Sequence, residues 1–439
     1  MGRTSKRWGL ALAAFLLPVQ AAAAPFTLED AIHAAWTHNP GIASGAQAVA
    51  AAQAEADSAN DSRLPSVLLS GKALATNEPM NAFGLKLDEQ RITASDFDPS
   101  RLNSPDIVGG VGFAATVMQP LYMGNRLTAG KLAATLQAEA EGRSHERRRQ
   151  ELAFNVVQAY FGAQVSAEGV GYADDVLAQA RETEGFTKAR NQQGLALDAD
   201  VARATAFRAQ AEAERTGAIQ RLASARALLA LLAGDEATGA ELSTPISSVL
   251  PTSAGPSETP ERADLDSARL RAGAARAMVQ VSKGSLLPEV MAQATAETMH
   301  SDFRQGATWF AVGVMARWKL SMADLQSTRA AQQRAGAAES ARQWQEQQAG
   351  HEVEEARRMV ETARSKLASA REAVAASQSA RSLRLDRHRQ GLLPLTEVLD
   401  AESGLAGARA LLLRSQFEAR VAAAQLQLAR GSLIEGVKP

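Results

Sequence analysis

Apolar residues recur every three or four positions over long parts of the chain, and this spacing predicts long amphipathic helices. In the last quarter, Val398, Ala401 and Leu405 begin a series that keeps the spacing to Ala429. Such a series lines one side of a helix and requires a partner helix to cover it. Residues 326–389 contain no proline and carry a similar apolar seam, so a second, longer helix is predicted there.

The lengths of the predicted helices indicate how they pack. At 1.5 Å per residue, the helix over residues 326–389 would be about 96 Å long, whereas the returning helix over 395–431 would be about 55 Å. A shorter helix over 262–285 would supply most of the remaining length. The first half repeats this set, with helices predicted over residues 28–62, 127–192 and 196–232. Each half is therefore predicted to be one long helix beside two stacked shorter helices.

Apolar and polar residues alternate one by one in four shorter stretches, which predicts β-strands. The clearest are a strand that begins at Val290 and a strand over residues 310–319. Strands over 66–76 and 107–119 are also predicted, although their alternation is less regular. The pattern fits a transmembrane barrel with one face toward lipid and one toward a water-filled lumen, but a half-buried strand of a soluble sheet has the same period.

Four strands are too few to close a transmembrane barrel. An open sheet edge within lipid leaves unpaired backbone groups that cost several kcal/mol each. Three copies of the chain would supply twelve strands. The strand pattern therefore predicts an oligomer.

The chain contains an internal duplication. Residues 39–67 align without a gap with residues 262–290, and each copy ends in a Leu-Pro pair before a predicted strand. The turn after each long helix also recurs, as Gln193-Gly-Leu195 and Gln390-Gly-Leu392, and glycine between two helical runs is a turn signal. The predicted divisions are a signal peptide over residues 1–23, a first repeat over 24–233, a linker over 234–261 and a second repeat over 262–439.

Composition narrows the class of protein. Residues 1–23 combine basic residues, an apolar run and small residues, as a secretory signal peptide does. The chain has no cysteine, so neither a disulfide nor a lipid anchor on an N-terminal cysteine is expected. With 47 basic and 48 acidic residues, no nucleic-acid partner is expected. The six histidines are scattered and no nucleophile, metal or nucleotide motif is present, so the sequence predicts no enzyme and no cofactor.

Taken in order, these features resemble the TolC family of outer-membrane efflux proteins over essentially the whole mature length. The matching motifs are the opening Phe26-Thr-Leu-Glu-Asp-Ala-Ile32 with Asn39-Pro40, the two Leu-Pro pairs, Gln119-Pro-Leu-Tyr-Met-Gly124, the two Gly-Leu turns and Val398-Leu-Asp-Ala401. The resemblance implies an α+β membrane protein. It would be a homotrimer in which a twelve-strand transmembrane β-barrel is continuous with a twelve-helix α-helical tunnel in the periplasm.

The resemblance also implies a function and partners. The protein would be a passive exit duct in the outer membrane of a Gram-negative bacterium, in contact with outer-membrane lipid. It would serve a tripartite efflux system or a type I secretion system, with a periplasmic adaptor (membrane fusion protein) and an inner-membrane pump of the RND, ABC or MFS class. A periplasmic coiled-coil adaptor and a structural coiled-coil surface protein are the alternatives, and the presence of two hairpins with two strand pairs disfavours both.

Within the family, the two Gly-Leu turns form the tunnel tip that meets the adaptor. This role carries over to Gly194, Leu195, Gly391 and Leu392. Glycine also punctuates helices without any other task, so a purely structural role of these turns is the alternative.

Carboxylates near the start of the last helix ring the closed end of the tunnel in family members. The matching positions are Glu397 and Asp400, which lie three residues apart on one helix face. A pore constriction and an ordinary solvated charge pair are both compatible with this spacing. Where the best-known member links a tyrosine and an arginine to a carboxylate, this chain offers His388 and Leu393 beside Asp200, so the tip link, if made, would join His388 to Asp200.

The resemblance also places the long insert between the first two strands, Asn77 to Asp106, outside the cell. An insert of this length is unusual and often functional. It is expected to be able to fold over the barrel mouth.

Overall fold

A computed structural model describes residues 25–237, 239–246, 262–301 and 306–433. The expected signal peptide and most of the expected linker lie outside these residues. The helices are α1 (Leu28–His38), α2 (Pro40–Asp61), α3 (Pro79–Asp88), α4 (Pro99–Asn103), α5 (Arg126–Gln192), α6 (Asp198–Ala233), α7 (Ala263–Gly284), α8 (Met322–Arg389) and α9 (Leu395–Arg430). The strands are β1 (Ser66–Thr76), β2 (Val108–Met123), β3 (Glu289–His300) and β4 (Gly306–Arg317). Among the described residues, no helix has both the length and the apolar character of a membrane span.

The four strands form one antiparallel sheet in the order β1-β2-β3-β4. Because successive side chains point to opposite faces, the register decides which residues share a face. Val312 lies opposite Ala294, which lies opposite Val117, which lies opposite Val67. One face is therefore apolar across all four strands. Its members are Val67, Leu69, Ala73, Phe113, Ala115, Val117, Val290, Ala292, Ala294, Ala296, Phe310, Val312, Val314 and Ala316.

The opposite face is called the polar face because it carries the Lys, Arg and Glu residues of the sheet, although β2 and β4 also contribute apolar residues to it. Lys72 forms an ion pair with Glu297 across the sheet, and the Thr116 and Thr295 hydroxyls are 3.1 Å apart. At the end of the sheet nearest the helices, Glu289 accepts from Arg317 at 3.0 Å. The alternation predicted for β3 and β4 is thus confirmed, and the register extends it to the first half, where the sequence pattern was weaker.

Each strand is continuous with one of four columns of helices. The columns are α2 with α6, then α5, then α7 with α9, then α8. β1 follows α2, β2 leads into α5, β3 follows α7 and β4 leads into α8. Both α2 and α6 pack on α5, while α7 packs on α5 and α8, and α9 also packs on both long helices. The columns therefore stand in the same order as the strands, with two shorter helices beside each long one, as the helix lengths predicted.

Several elements differ from their predicted bounds, and β4 and α8 both begin four residues before their predicted starts, at Gly306 and Met322. The helix predicted over 28–62 is divided at Asn39, which is extended because the following Pro40 disfavours a helical conformation there. The Asn39 side chain then caps α2 by accepting from the Gly41 N–H at 2.8 Å. Strand β2 runs four residues past its predicted end, to Met123, through a register shift next to Pro120, which has no N–H to donate to the ladder.

The largest core cluster surrounds the middle of α5, where Tyr160 and Phe161 are fully buried. The Tyr160 hydroxyl donates to the Phe26 carbonyl oxygen at 2.8 Å and accepts from the Thr244 N–H at 2.9 Å. Phe26 and Leu242 also form a β-bridge. One hydroxyl on α5 therefore holds together the start of the described chain and the segment that follows α6.

Replacing Tyr160 by Phe should lower the free energy of unfolding by about 1–3 kcal/mol, because the part-buried Thr244 N–H would lose its partner and the Phe26 carbonyl oxygen would keep only the Ser243 N–H. Thermal unfolding in mild detergent would measure this. The matched control is Tyr122→Phe, since Tyr122 is 46% exposed and its hydroxyl forms no hydrogen bond within the described chain. Equal melting temperatures for the native chain and Tyr160→Phe would contradict the bridging role.

Candidate functional site

The candidate site lies at the ends of the two long helices, far from the sheet. The first hairpin turns at Gly194, whose φ of +73° is the left-handed conformation that glycine adopts without strain. Its N–H donates to the Asn191 carbonyl oxygen at 2.8 Å, and the Leu195 N–H donates to the Arg190 carbonyl oxygen at 2.9 Å. This pair of bonds is the Schellman arrangement, which satisfies the last carbonyls of a helix.

The second hairpin turns in the same way at Gly391, which has a φ of +78°. The Gly391 N–H donates to the His388 carbonyl oxygen and the Leu392 N–H to the Arg387 carbonyl oxygen, both at 2.9 Å. The two Gly-Leu turns predicted from the sequence are therefore helix-terminating turns of one geometry.

His388 has a structural contact that the sequence did not predict. Its Nδ1 lies 2.7 Å from the Leu393 carbonyl oxygen, and in the first hairpin Asn191 Nδ2 donates to the Ala196 carbonyl oxygen at 2.9 Å. The two side chains hold equivalent positions and bridge the same five-residue interval. Because a carbonyl oxygen only accepts, the proton must lie on Nδ1 of His388.

The structure brings the two tips together. A cavity of about 330 Å³ is lined by residues of both turns, including Leu195, Asp200, His388 and Leu392. The His388 ring also meets the Phe186 ring of α5 edge-on, with centroids 6.1 Å apart. Within the described residues, Asp200 and His388 share this cavity without a hydrogen bond between them, so the link between them stays a prediction.

The tip exposes apolar side chains. Leu195, Leu197 and Leu392 are each more than 60% exposed. Three exposed leucines at the end of a long helical layer are suited to contact another protein.

The two carboxylates predicted at the constriction have different surroundings. Glu397 is half exposed and its Oε2 lies 3.3 Å from Arg384 Nη1 on α8, so its charge is partly balanced. Asp400 is exposed and forms no hydrogen bond or ion pair within the described part of the chain. Asp400 is thus the freer of the two negative charges.

Two residues beyond Asp400, sequence reasoning missed a buried ion pair. The Glu402 side chain is 4% exposed and accepts from Arg381 Nε at 2.7 Å. At the equivalent positions of the first hairpin, Thr205 donates to Glu184 at 2.7 Å. The 21-residue separation shared by both pairs, across a duplicated turn, was the signal that could have revealed them.

Each pair links the two helices of its hairpin, but the carboxylate lies on a different helix in each. In the first hairpin the carboxylate lies on the long helix, where hydrogen bonds from Lys188 and then Thr205 lower the pKa of Glu184. In the second hairpin the long helix carries Arg381 and the returning helix carries the carboxylate of Glu402. The hairpins share a geometry but differ in charge. Among the described residues, no group of three or more acidic or histidine side chains could hold a metal ion.

A comparison with protein families identifies one match. The sequence profile described as outer membrane efflux protein matches residues 31–235 and 258–432. No curated protein matches the chain in sequence.

Solved structures share the fold at low sequence identity. The outer membrane protein VceC of Vibrio cholerae is 21% identical, with 92% of this chain and 96% of that chain covered and a TM-score of 0.75. The CmeC outer membrane channel of Campylobacter jejuni is 15% identical, with 92% and 86% covered and a TM-score of 0.80. The open state of the MtrE outer membrane channel of Neisseria gonorrhoeae is 18% identical, with 94% and 91% covered and a TM-score of 0.75.

Replacing Gly391 by Ala should destabilise the tip turn by about 1–2 kcal/mol, because the left-handed conformation is strained for any residue with a Cβ. A Cβ at this position meets no atom within 4 Å, so backbone strain is the only cost. Hydrogen exchange at the Leu392 amide should become faster. Gly404, inside α9 and equally uncrowded, is the control: Gly404→Ala should leave that exchange rate unchanged, and equal rates in both variants would refute the strain argument.

Proposed function

The chain belongs to the outer membrane efflux protein family, and from this premise we propose that it is an outer-membrane exit duct that passively conducts substrates from an inner-membrane pump. Proteins of this family are transport conduits, and the chain is not an enzyme. The observation that carries the proposal is the sheet, which has one apolar face and two open edges, joined strand by strand to a long helical layer.

The open edges support a trimer. Within the described chain, β1 and β4 each pair on one side only, and the outer sides of α6 and α8 carry exposed apolar residues such as Leu231 and Trp344. Joining β4 of one copy to β1 of the next satisfies the edge backbone groups, and the same step joins α8 to the column of α2 and α6. Three copies complete a barrel of twelve strands and a tunnel of twelve helical columns, with the repeats 24–233 and 262–439 linked by 234–261.

The different character of the two faces supports an orientation in which one face of the sheet is toward lipid and the other toward the lumen. The apolar face suits the hydrocarbon of the outer membrane, and strands of 11 to 16 residues are long enough for tilted transmembrane strands. The polar face, with Lys72, Glu297 and Thr116, suits a water-filled lumen. The helices then extend into the periplasm.

The tip is the proposed contact with a periplasmic adaptor. Leu195 and Leu392 stand exposed on turns held by Gly194 and Gly391, and the cavity between the two turns offers a concave surface. A tripartite efflux system with an RND, ABC or MFS pump and a type I secretion system both fit this arrangement. The joined sheet and helical layer favour a duct over a free adaptor or a coiled-coil surface protein.

Glu397 and Asp400 are the proposed constriction. On a three-fold axis the three copies of Asp400, each without a hydrogen bond or ion pair among the described residues of its own chain, would repel one another and attract cations. Glu397 would contribute less to the negative potential at the constriction, because Arg384 partly balances its charge.

The trimer can be tested by engineered disulfides, since the native chain contains no cysteine. Single cysteines placed in turn along β1 and along β4 and combined in one chain should yield covalent trimers under oxidation in outer-membrane fractions. Cysteine pairs placed on β2 and β3, which are inner strands, should cross-link only within one chain. A species that stays monomeric with every β1–β4 pair and in mild detergent would overturn the proposal.

Replacing Asp400 by Asn should raise single-channel conductance and weaken block by multivalent cations, because the unpaired charges near the axis would be removed. Adding Glu397→Gln should increase the effect only slightly, since Arg384 already balances that carboxylate. Planar-bilayer recordings would measure both quantities. The double variant Thr396→Ala with Leu399→Ala, which keeps both carboxylates, is the control. Unchanged conductance and cation block in Asp400→Asn would mean that this carboxylate only faces solvent.

A further inference from the structure

The insert between β1 and β2 is a folded unit. The connection over residues 77–107 forms α3, a 3₁₀ turn over Ala94–Phe97 and α4, whereas the corresponding connection in the second half, residues 301–305, is far shorter. Lys86 donates to Asp96 at 2.8 Å, and the Thr93 N–H donates to the same carboxylate at 2.7 Å. Hydrogen bonds from Lys86 and then Thr93 hold the pKa of Asp96 well below its usual range, so this internal link stays ionised in mild acid.

The insert lies on the polar face of the sheet. Ala82 and Leu85 of α3 pack against Val108 and Met299, and Trp309 packs against the same cluster. Met299 and Trp309 belong to the face that carries Glu297, opposite to the apolar face. The contact is at the end of the strands away from the helices. A lipid-facing position for the insert is thereby excluded.

The sheet carries glycines where the insert comes close. A Cβ at Gly110 would lie 2.3 Å from Glu89 Oε1 and 3.2 Å from Leu85 Cδ1. Glu89 is 1% exposed and is paired with Arg91. Gly110 thus leaves room for a buried carboxylate of the insert, and a Cβ there would force the Glu89 side chain out of its place against the sheet.

The face of α3 that points away from the sheet is apolar. Met80 and Leu87 are seven residues apart, so they share one side of the helix, opposite to Ala82 and Leu85. They are 78% and 56% exposed. Phe97, whose ring meets Phe83 edge-on, is also 60% exposed. The chain itself leaves this apolar surface uncovered within its described residues.

The occupant of this surface is the same surface of the two other copies. This step rests on the proposed trimer. A twelve-strand barrel is about 24 Å across between opposite backbones, and an α-helix with its side chains is about 10–12 Å across. Three helices packed on the inner wall at the rim therefore leave no open passage between them, and their outer faces meet at the three-fold axis.

We propose that the three inserts form an apolar collar of Met80 and Leu87 that closes the extracellular mouth of the duct. An apolar constriction excludes ions because water leaves it. The contacts of Leu85 with Met299 and Val108 hold each insert in the closed position. Opening requires the insert to move away from Gly110.

Two variants test the collar in planar bilayers. Met80→Asn with Leu87→Asn changes only the exposed face of α3 and should raise single-channel conductance several-fold, because a polar collar stays wet. Gly110→Ala should also raise conductance, since its Cβ would displace Glu89. Gly109→Ala is the matched control, because a Cβ at Gly109 lies on the other face and meets its nearest atom at 3.4 Å.

A second readout separates undocking from misfolding. Trypsin cleavage after Lys86 and Arg91, mapped by mass spectrometry on trimers in lipid vesicles, should be faster in Gly110→Ala than in Gly109→Ala. Native conductance in the double asparagine variant would overturn the collar, whatever Gly110→Ala does. If neither the native chain nor the double asparagine variant forms a channel, the proposed duct itself would be refuted.

Discussion

Unpaired backbone groups at the two edges of a four-strand sheet are the constraint on which the rest of the molecule depends. Within lipid such groups would have no water to bond, so the proposed exit duct requires other copies of the chain to close the sheet. Because each strand continues into one helical column in the same order, closing the sheet also closes the helical layer. In the proposed trimer, barrel and tunnel would therefore form one cooperative structure, and the exposed apolar sides of α6 and α8 would be buried by the same step.

The duplicated halves show how one geometry accommodates different chemistry. Asn191 and His388 each form a hydrogen bond with the carbonyl oxygen five residues later in the chain. The pair Glu184 and Thr205 in the first hairpin is equivalent to the pair Arg381 and Glu402 in the second. In each case a hydrogen bond is kept while the side chains that form it change, and in the second pair the charges change as well. The two hairpins thus have the same shape, but they offer a partner different charges. An adaptor that touches both would distinguish them by electrostatics rather than by contour.

The two ends of the proposed duct differ in physical character. At the tip, the carboxylate of Asp400 is less balanced than that of Glu397, and its proposed effect would depend on ionic strength and on cations. At the mouth, the exposed side chains of Met80 and Leu87 are apolar, and their effect depends on dewetting. A duct with an electrostatic constriction at one end and an apolar one at the other would respond separately to its pump and to the medium outside.

The sequence predicted the helix lengths, the glycine turns, the duplication and the alternation of β3 and β4. Each of these is a pattern of residue types along the chain and does not depend on which distant residues meet. The family followed from their order. The division at Pro40 could have been read locally but was missed. Other features needed the tertiary structure, because their partners are distant in sequence: Arg384 beside Glu397, the contact between the two tips, and above all the side of the sheet on which the insert lies. Leu85 meets Met299 more than two hundred residues away, and only the strand register determines that this contact is on the polar face.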